Sequence, residues 1–424
     1  MQVQLKDLAT FRRNGQPKGI TSVCSAHPIV LRAALRHGKT TASTVLIEAT
    51  CNQVNHLGGY TGMRPADFAA LVDRIAREEG CPTDLIVLGG DHLGPNPWRD
   101  RPAEEAMGEA EIMVAAYVKA GFRKIHLDAS MGCRGEPAAL DDETTAHRAA
   151  RLAAIAEEAA REIGGSLPVY VIGTEVPPPG GADHILSAIE PTAKSAAKRT
   201  IEVHRKIFSE MGLSDAVGRA IGLVVQPGVE FGNHNVIYYD RTKAWELIEV
   251  LDDEPQFVFE AHSTDYQGVA PLTALVEDGF SILKVGPELT FVLREALYAL
   301  DLIASDLVPT YGERPLLQAM EQLMLAEPGY WGSHYHGNES ERRLLRHYSL
   351  SDRIRYYWNT PQAQKAVASL NSALSGQRVP MPLFRQHLPQ AQHFADAPLE
   401  PEEVLVWCVT RSLAAYHTAC ALEN

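Results

Sequence analysis

Residues 85–96 read LIVLGGDHLGPN, an apolar run that passes through two glycines into Asp91 and His92 and then into a Gly-Pro turn. The apolar part is typical of a strand in a parallel sheet, because such strands are buried on both faces. Ionisable side chains are seldom buried without a partner. The two residues therefore indicate either a polar loop or a functional site at the mouth of a parallel sheet.

Seven further apolar runs repeat this pattern: GITSVCSA from Gly19, TVLIEAT from Thr44, KIHLDAS from Lys124, VYVIGTE from Val169, IGLVVQP from Ile221, FVFEAH from Phe257 and ILKVG from Ile282. The segments between them are long enough for helices, and those from Pro65, Ala103 and Thr145 place apolar residues at helical spacing. Eight such units predict an α/β fold, a (β/α)8 TIM barrel, over residues 1–302. A doubly wound open sheet is the alternative, and the first run lacks the G-x-G-x-x-G typical of it.

The pattern changes after residue 302. LLQAMEQLMLAEPGYW, YSLSDRIRYYW and PEEVLVWCVTRSLAAYHTA have helical periodicity, so residues 303–424 are expected to form a helical C-terminal extension packed on the barrel. Arg353 and Arg355 lie in the second segment beside aromatic residues. We expect one of them, Arg353, to contact substrate or a neighbouring subunit and the other to form an ion pair. A segment docked only through its aromatic residues is the alternative.

The amino-acid composition argues against nucleic-acid-binding and membrane-spanning proteins. The 424 residues include 39 Lys and Arg against 53 Asp and Glu, a formal net charge of −14, which argues against nucleic-acid binding. Six cysteines without a C-x-x-C pair favour a reducing, cytoplasmic location. No run approaches the ~18 apolar residues of a membrane helix. We therefore expect neither a nucleic-acid nor a membrane partner.

Polar side chains recur where the predicted strands end, and in a barrel these ends form one face. His92 and His262 are candidate ligands of a divalent metal, and two hydrogen-bonded histidines are the alternative. His126 and Asp128 share one face of the fourth strand, because side chains alternate with a period of two. These two residues, and Glu48 inside the second strand, are candidate substrate contacts or paired interior groups.

A phosphate group is expected near the ends of the last two strands, where barrels often bind one through backbone N–H groups. Ser263, Thr264 and Gly286 are the candidates, and ordinary turn geometry is the alternative. Asn52 and Lys284 also lie at strand ends and complete the predicted substrate-binding residues.

Together the motifs resemble a known family over essentially the whole chain. SVCSAHP, LIEATCNQVNHLGGYTGM, GGDHLGPN, KIHLDASM, YVIGTEVP, VVQPGVEFG, FEAHSTDYQ, LKVGPELTFVLREA and YSLSDRIRYYW are similar to the large accessory subunit of tagatose-1,6-bisphosphate aldolase. Relatives in that family also carry the label tagatose-6-phosphate kinase. The same strand ends resemble, more weakly, the class II aldolases.

The class II resemblance implies roles for five residues. It makes Asp91 and Glu175 the acid/base residues, and it makes His92 and His262 ligands of a divalent metal, zinc in those aldolases. Where the aldolases have a further histidine on the sixth strand, this chain offers Glu230 instead. The implied metal ligands are therefore His92, Glu230 and His262.

The resemblance and the candidate site together favour a metal-dependent enzyme of tagatose and galactitol catabolism. The expected reaction is that of a D-tagatose 6-phosphate 4-epimerase, which acts on a phosphorylated ketohexose by retro-aldol and aldol steps. One alternative is a non-catalytic subunit that stabilises a class II aldolase, which would then be its partner. A lesser alternative is a kinase, although no nucleotide-binding motif is present. A homo-oligomer is expected.

Overall fold

The structure is a computed structural model that describes residues 3–173 and 189–421. Its strands are β1 (Ile20–Val23), β2 (Val45–Thr50), β3 (Ile86–Leu93), β4 (Lys124–Leu127), β5 (Val169–Ile172), β6 (Ala220–Val225), β7 (Glu230–Phe231), β8 (Val236–Ile237), β9 (Val258–Ala261) and β10 (Ile282–Val285). Strands β7 and β8 form an antiparallel hairpin that the sequence did not predict. The other eight of the described strands close a parallel barrel in chain order, with β10 beside β1. The predicted (β/α)8 barrel is confirmed.

Helices connect the strands and continue beyond the last one. They are α1 (Leu8–Arg13), α2 (Pro28–Thr41), α3 (Pro65–Glu79), α4 (Ala103–Lys119), α5 (Asp142–Glu162), α6 (Lys194–Glu210), α7 (Ser214–Val217), α8 (Arg241–Ile248), α9 (Val250–Asp253), α10 (Val269–Glu277), α11 (Pro287–Leu307), α12 (Pro315–Ala326), α13 (Glu339–Tyr348), α14 (Pro361–Leu374), α15 (Met381–His387) and α16 (Pro401–Cys420). Within the described part of the chain, no helix combines the length and apolarity that crossing a membrane requires.

The three helices expected from apolar spacing are present as α3, α4 and α5. Helix α3 ends at Glu79 and is capped by Gly80, whose φ of 64° is a left-handed conformation that glycine adopts at little cost. Helix α5 begins at Asp142, three residues before the predicted start. The reason is a cap, since the side chain of Asp141 accepts a hydrogen bond from the backbone N–H of Thr144 at 2.9 Å.

The interior of the barrel is layered, because side chains two residues apart on a strand point to the same side. The lowest layer is apolar and packs against Leu5 and Leu8 near the N-terminus. On four strands the next inward residue is polar or charged: Ile20 precedes Ser22, Leu46 precedes Glu48, Val258 precedes Glu260, and Ile282 precedes Lys284. With Lys124 of β4, the charged members Glu48, Glu260 and Lys284 form what we call the charged layer. It lies between the apolar interior and the C-terminal mouth.

The C-terminal extension returns to the barrel. Helix α16 packs against α2, α10, α11 and β1, and the Tyr416 hydroxyl donates to the Thr264 carbonyl oxygen at 2.7 Å. The described residues after 302 are mainly helical, as expected. The predicted boundary between residues 302 and 303 falls inside α11, so the division into 1–302 and 303–424 stays a prediction.

Gly94 lies where β3 passes close to the end of β4. A Cβ atom at Gly94 would lie 1.6 Å from the carbonyl oxygen of Asp128, so Gly94→Ala is expected to destabilise the fold by about 1–3 kcal/mol. Gly108→Ala is the control, because Gly108 is in α4 and nothing lies within 4 Å of its Cβ position. Alanine should stabilise that helix by about 0.5–1 kcal/mol. Urea unfolding measures both effects, and equal free energies of unfolding would contradict the expectation.

Candidate active site

A pocket opens at the C-terminal ends of the barrel strands, the face on which the sequence predicted a site. Its walls come from the strand ends, from the loop between β2 and α3, and from the C-terminal extension. The residues that line it include Cys24, Ser25, His27, Asn52, Gln53, Tyr60, Asp91, His92, Asn96, Phe231, His262, Ser263, Asp265, Lys284, Gly286, Thr290, Arg355, Tyr356 and Asn359.

The floor of the pocket is the charged layer. The Nζ atom of Lys124 lies 2.7 Å from Glu48 Oε1 and 2.7 Å from Glu260 Oε2, and all three side chains are fully buried. The Nζ atom of Lys284 lies 2.8 Å from Asp91 Oδ1 and 3.3 Å from Glu48 Oε2. Glu48 is therefore a paired interior charge, one of the two alternatives left open by the sequence.

These contacts determine the charge states of Lys284 and Asp91. Burial disfavours the ammonium form of Lys284, but Asp91, Glu48 and Glu260 around it raise its pKa well above the usual range. Burial likewise opposes ionisation of Asp91, but His92, Lys284 and a hydrogen bond with His126 hold its pKa well below the usual range. Asp91 is therefore an ionised carboxylate that lines the pocket.

Three imidazole rings gather around Asp91. One potential ligand atom from each of Asp91, His92, His126 and His262, together the histidine cluster, lies within 4.8 Å of the others. All four side chains are buried. The Nδ1 atom of His92 is 2.8 Å from Asp128 Oδ2, which fixes the orientation of the ring. The donor set of imidazole nitrogen and carboxylate oxygen could hold a metal ion.

The hydrogen bonds of His126 support this fit. Its Nε2 atom lies 3.0 Å from the carbonyl oxygen of Gly173, which only accepts, so Nε2 carries the proton. The Nδ1 atom of the neutral ring is then an acceptor, and it receives the backbone N–H of His92 at 3.2 Å. Yet this Nδ1 also lies 3.0 Å from Asp91 Oδ1, a second acceptor. The Nδ1 atom can therefore accept from His92 or donate to Asp91, but it cannot do both, and a cation beside the two acceptors would satisfy Asp91 in the first case.

The count of buried charges agrees with this. Two ammonium groups face four carboxylates in the described part of the site, so balance requires two further positive charges, from protonated imidazoles or from a divalent cation beside neutral ones. The groups are Lys124 and Lys284 against Glu48, Asp91, Asp128 and Glu260. Isolated buried charge is costly, and a divalent cation in the histidine cluster would balance the excess.

His92 reaches the pocket through an irregularity of β3. Asp91 is in phase with Val87 and Gly89, so it points inward by the period of two, whereas His92 is out of phase. The pairing of β3 with β4 shifts between Gly90 and Leu93, and His92 has a φ of 49°. This bulge turns the imidazole into the mouth, beside the carboxylate that precedes it.

The family model described as D-tagatose-1,6-bisphosphate aldolase subunit GatZ/KbaZ-like matches residues 5–421. The chain belongs to this family. A curated relative, the D-tagatose 6-phosphate 4-epimerase of Agrobacterium fabrum, is 62% identical over 419 residues, which are 99% of each chain. The crystal structure of a probable tagatose 6 phosphate kinase from Sinorhizobium meliloti is 52% identical, with a TM-score of 0.87 over 95% of this chain and 100% of that chain.

In this GatZ/KbaZ-like protein, the structure brings most of the predicted site residues together. Asp91, His92, His126, Asp128, His262, Lys284 and Glu48 lie in or under the pocket, and Asn52 lines it. Glu230 is buried on β7, where its Oε1 accepts the backbone N–H of Phe231 at 2.9 Å, and it is not part of the histidine cluster. Glu175 lies outside the described residues. The roles of all these residues stay predictions.

The loops after β9 and β10 present fewer free donors than the sequence suggested. Ser263 and Gly286 line the pocket, whereas the hydroxyl of Thr264 is buried and donates to the carbonyl oxygen of Lys284 at 2.7 Å. The backbone N–H groups of Gly286 and Glu288 both donate to Asp265 Oδ1, at 3.0 and 2.8 Å. Of the three residues predicted to bind a phosphate, Gly286 therefore has its backbone N–H occupied by a carboxyl group, and the phosphate site stays a prediction.

Sequence reasoning missed Lys124 and Tyr60 and chose Arg353 over Arg355. Lys124 had a usable signal, because it precedes the inward His126 by two residues on the same strand. Arg355 lines the pocket, whereas Arg353 lies outside the lining and its Nη1 donates to the carbonyl oxygen of Tyr330 at 3.0 Å. The segment is a 3-10 helix over Arg353–Tyr357, and its periodicity does not reveal which arginine faces the barrel.

Proposed function

We propose that this protein is a D-tagatose 6-phosphate 4-epimerase, which interconverts D-tagatose 6-phosphate and D-fructose 6-phosphate. The observation that carries the proposal is the 62% identity to the Agrobacterium fabrum protein of that name over 99% of both chains. The buried carboxylate and histidines at the mouth of the barrel supply the groups that such a reaction needs.

The chemistry follows from the position of C4. The hydrogen on C4 is not acidic, because C4 is β to the C2 carbonyl group, so simple proton removal cannot invert this centre. Cleavage of the C3–C4 bond can, since its electron pair moves into an enediolate of the three-carbon fragment as O4 becomes an aldehyde oxygen. Rotation of glyceraldehyde 3-phosphate presents the other aldehyde face, and re-formation of C3–C4 completes the inversion.

Asp91 is the group that we assign to the O4 proton. It is an ionised, pocket-lining carboxylate, and the ammonium group of Lys284 at 2.8 Å stabilises its charge. It accepts the C4 hydroxyl proton as C3–C4 breaks and returns it to O4 after the bond forms again. Inversion requires a second acid/base on the other face of the aldehyde, and Glu175 remains our candidate for that role.

We propose zinc as the resident metal, with His92, His126 and His262 as ligands beside Asp91. Neutral imidazole is the nitrogen ligand that zinc commonly takes, and the crowded acceptors of Asp91 and His126 fit a cation. Bound there, the ion would supply positive charge for the oxygens that become negative during C–C cleavage. Asp128 then positions His92 through its Nδ1 atom.

The test is NMR of the purified protein with D-tagatose 6-phosphate in D2O, without ATP or an aldolase. We expect D-fructose 6-phosphate with no deuterium at C4, because the C4–H bond never breaks. A chelator should lower the rate by about 10²-fold, and zinc should restore it. Deuterium at C4 would exclude the retro-aldol route. A product that forms only when ATP is added would replace the epimerase proposal with a kinase.

A further inference from the structure

The pocket contains one cationic side chain, that of Arg355, which forms no ion pair within 4.0 Å with a described carboxylate. Apart from histidines, the described residues that line it include two cationic side chains, Lys284 and Arg355. Lys284 lies within 3.8 Å of three carboxylates, those of Asp91, Glu48 and Glu260. The positive charge of Lys284 is therefore already balanced by carboxylates at the floor of the pocket. Arg355 is different, because its hydrogen-bond acceptors among the described residues are two carbonyl oxygens and one hydroxyl oxygen.

The guanidinium group of Arg355 is held in place by uncharged groups. Its Nη1 donates to the carbonyl oxygens of Ser351 and Asp352, and its Nη2 donates to the Tyr356 hydroxyl at 2.9 Å. Its central carbon lies 4.4 Å from the centroid of the Tyr356 ring. Three of its five N–H groups are thus used, and the described residues offer no acceptor to the other two. A planar guanidinium group that is held in place and has two N–H groups without acceptors is suited to binding an oxyanion.

The carboxylate nearest in sequence is engaged elsewhere. Asp352 Oδ2 accepts the Thr290 hydroxyl at 2.7 Å, and Asp352 Oδ1 lies 3.7 Å from Arg294 Nε. Arg355 is half-buried at the pocket wall, and the described residues place no carboxylate in an ion pair with it, so Asp352 favours its charge only from a distance. An anion in the pocket would complete the site.

At the other end of the pocket wall, a carboxyl group already occupies the backbone donors that an anion would need. At the start of α11, Asp265 holds the backbone N–H groups of Gly286 and Glu288. A phosphate there would have to displace this carboxyl group or approach it closely. Within the described lining, the positive charge available to a dianion is that of Arg355.

We propose that Arg355 binds the phosphate group of the ketohexose phosphate, with the Tyr356 hydroxyl beside it. This proposal rests on the proposed function. The C-terminal extension thus determines specificity for the phosphorylated sugar, while the barrel supplies the reacting groups. Tyr60 supports this arrangement, because its ring meets that of Tyr356 edge to face at 4.8 Å. It joins the loop after β2 to the extension across the mouth.

The test compares R355Q with the control R385Q, whose arginine is exposed on α15 of the same extension and lies outside the pocket lining. Calorimetry of the full chain measures the Kd for D-tagatose 6-phosphate, for unphosphorylated D-tagatose and for inorganic phosphate. R355Q should weaken binding of the sugar phosphate and of phosphate by about 100-fold. It should change binding of D-tagatose by less than about threefold, and R385Q should resemble the wild type. R355K keeps the positive charge but lacks the planar guanidinium group, so its Kd for the sugar phosphate should lie between those of R355Q and the wild type.

Binding is measured without turnover, so the two proposals fail separately. A wild-type protein that binds the sugar phosphate but does not epimerise it overturns the proposed function, while the R355Q comparison still decides the role of Arg355. The role is refuted if R355Q weakens both sugars equally, or if it leaves the Kd for the sugar phosphate within about threefold. It is also refuted if the wild type binds neither phosphate nor sugar phosphate.

Discussion

Asp91→Asn is expected to lower kcat for epimerisation by about 10²–10⁴-fold, the usual contribution of a positioned acid/base. Asparagine has nearly the same shape, and Lys284 retains Glu48 and Glu260 as partners, so the fold should persist. The amide cannot take the O4 proton, and the loss should therefore appear in kcat more than in KM. Steady-state kinetics with D-tagatose 6-phosphate measure the effect.

The matched control is Asp100→Asn, an exposed aspartate a few residues beyond β3. It should leave kcat, KM and melting temperature unchanged. Melting temperature and zinc content of Asp91→Asn separate lost proton transfer from lost structure or lost metal. An Asp91→Asn protein with wild-type kcat would show that another group moves the O4 proton.

Lys124→Met is expected to cost about 3–5 kcal/mol of the free energy of unfolding, out of the 5–15 kcal/mol typical of folded proteins. The ammonium group is fully buried between Glu48 and Glu260 at 2.7 Å from each, and its removal leaves buried carboxylates without their closest cation. Chemical unfolding followed by circular dichroism measures the loss. Failure to accumulate as folded protein would be the extreme form of the same result.

Lys119→Met is the control for this substitution. Lys119 makes an ion pair of the same 2.7 Å length with Glu162, but both side chains are about half exposed, so the loss should stay below about 1 kcal/mol. Equal costs for the two variants would refute the burial argument.

The loss of unfolding free energy in Lys124→Met should also depend on pH. In the wild type, burial opposes ionisation of Glu260, but Lys124 and Lys284 hold its pKa well below the usual range. Without Lys124, burial should raise that pKa above its unfolded value, so the variant regains stability as pH falls and loses it as pH rises. The cost should therefore be smaller at low pH than at neutral pH. A pH-independent cost would show that Glu260 does not carry the unbalanced charge.

The barrel fold could be predicted because the sequence patterns that specify its strands and helices are local. Each apolar run is short, continuous and bounded by turn residues, and eight such runs separated by helices leave few folds open. The same reasoning placed Asp91, His262 and Lys284 at one mouth, since strand ends meet there. The period of two also predicted that His126 and Asp128 face the same side.

The remaining features of the site could not be predicted, because they depend on tertiary contacts that no local sequence pattern encodes. The inward turn of His92 comes from a bulge and a positive φ, and nothing in GGDH distinguishes this from a regular strand. Asp265 takes the N–H groups of Gly286 and Glu288 through a loop that sequence reasoning treated as a phosphate site. Arg355 faces the mouth because a distant segment folds over it, which is a tertiary property.

The charged layer also constrains how the chain acquires its fold during synthesis. The contact between Lys284 and Glu48 spans 236 residues. A nascent chain that has emerged only through β5 carries Glu48, Asp91 and Asp128 with Lys124 alone to offset them, and it lacks Glu260 and Lys284 altogether. A half-barrel would therefore bury unbalanced charge, and the ribosome needs on the order of ten seconds to add the missing strands. The barrel should close in one cooperative step as β10 docks, with the active site completed last.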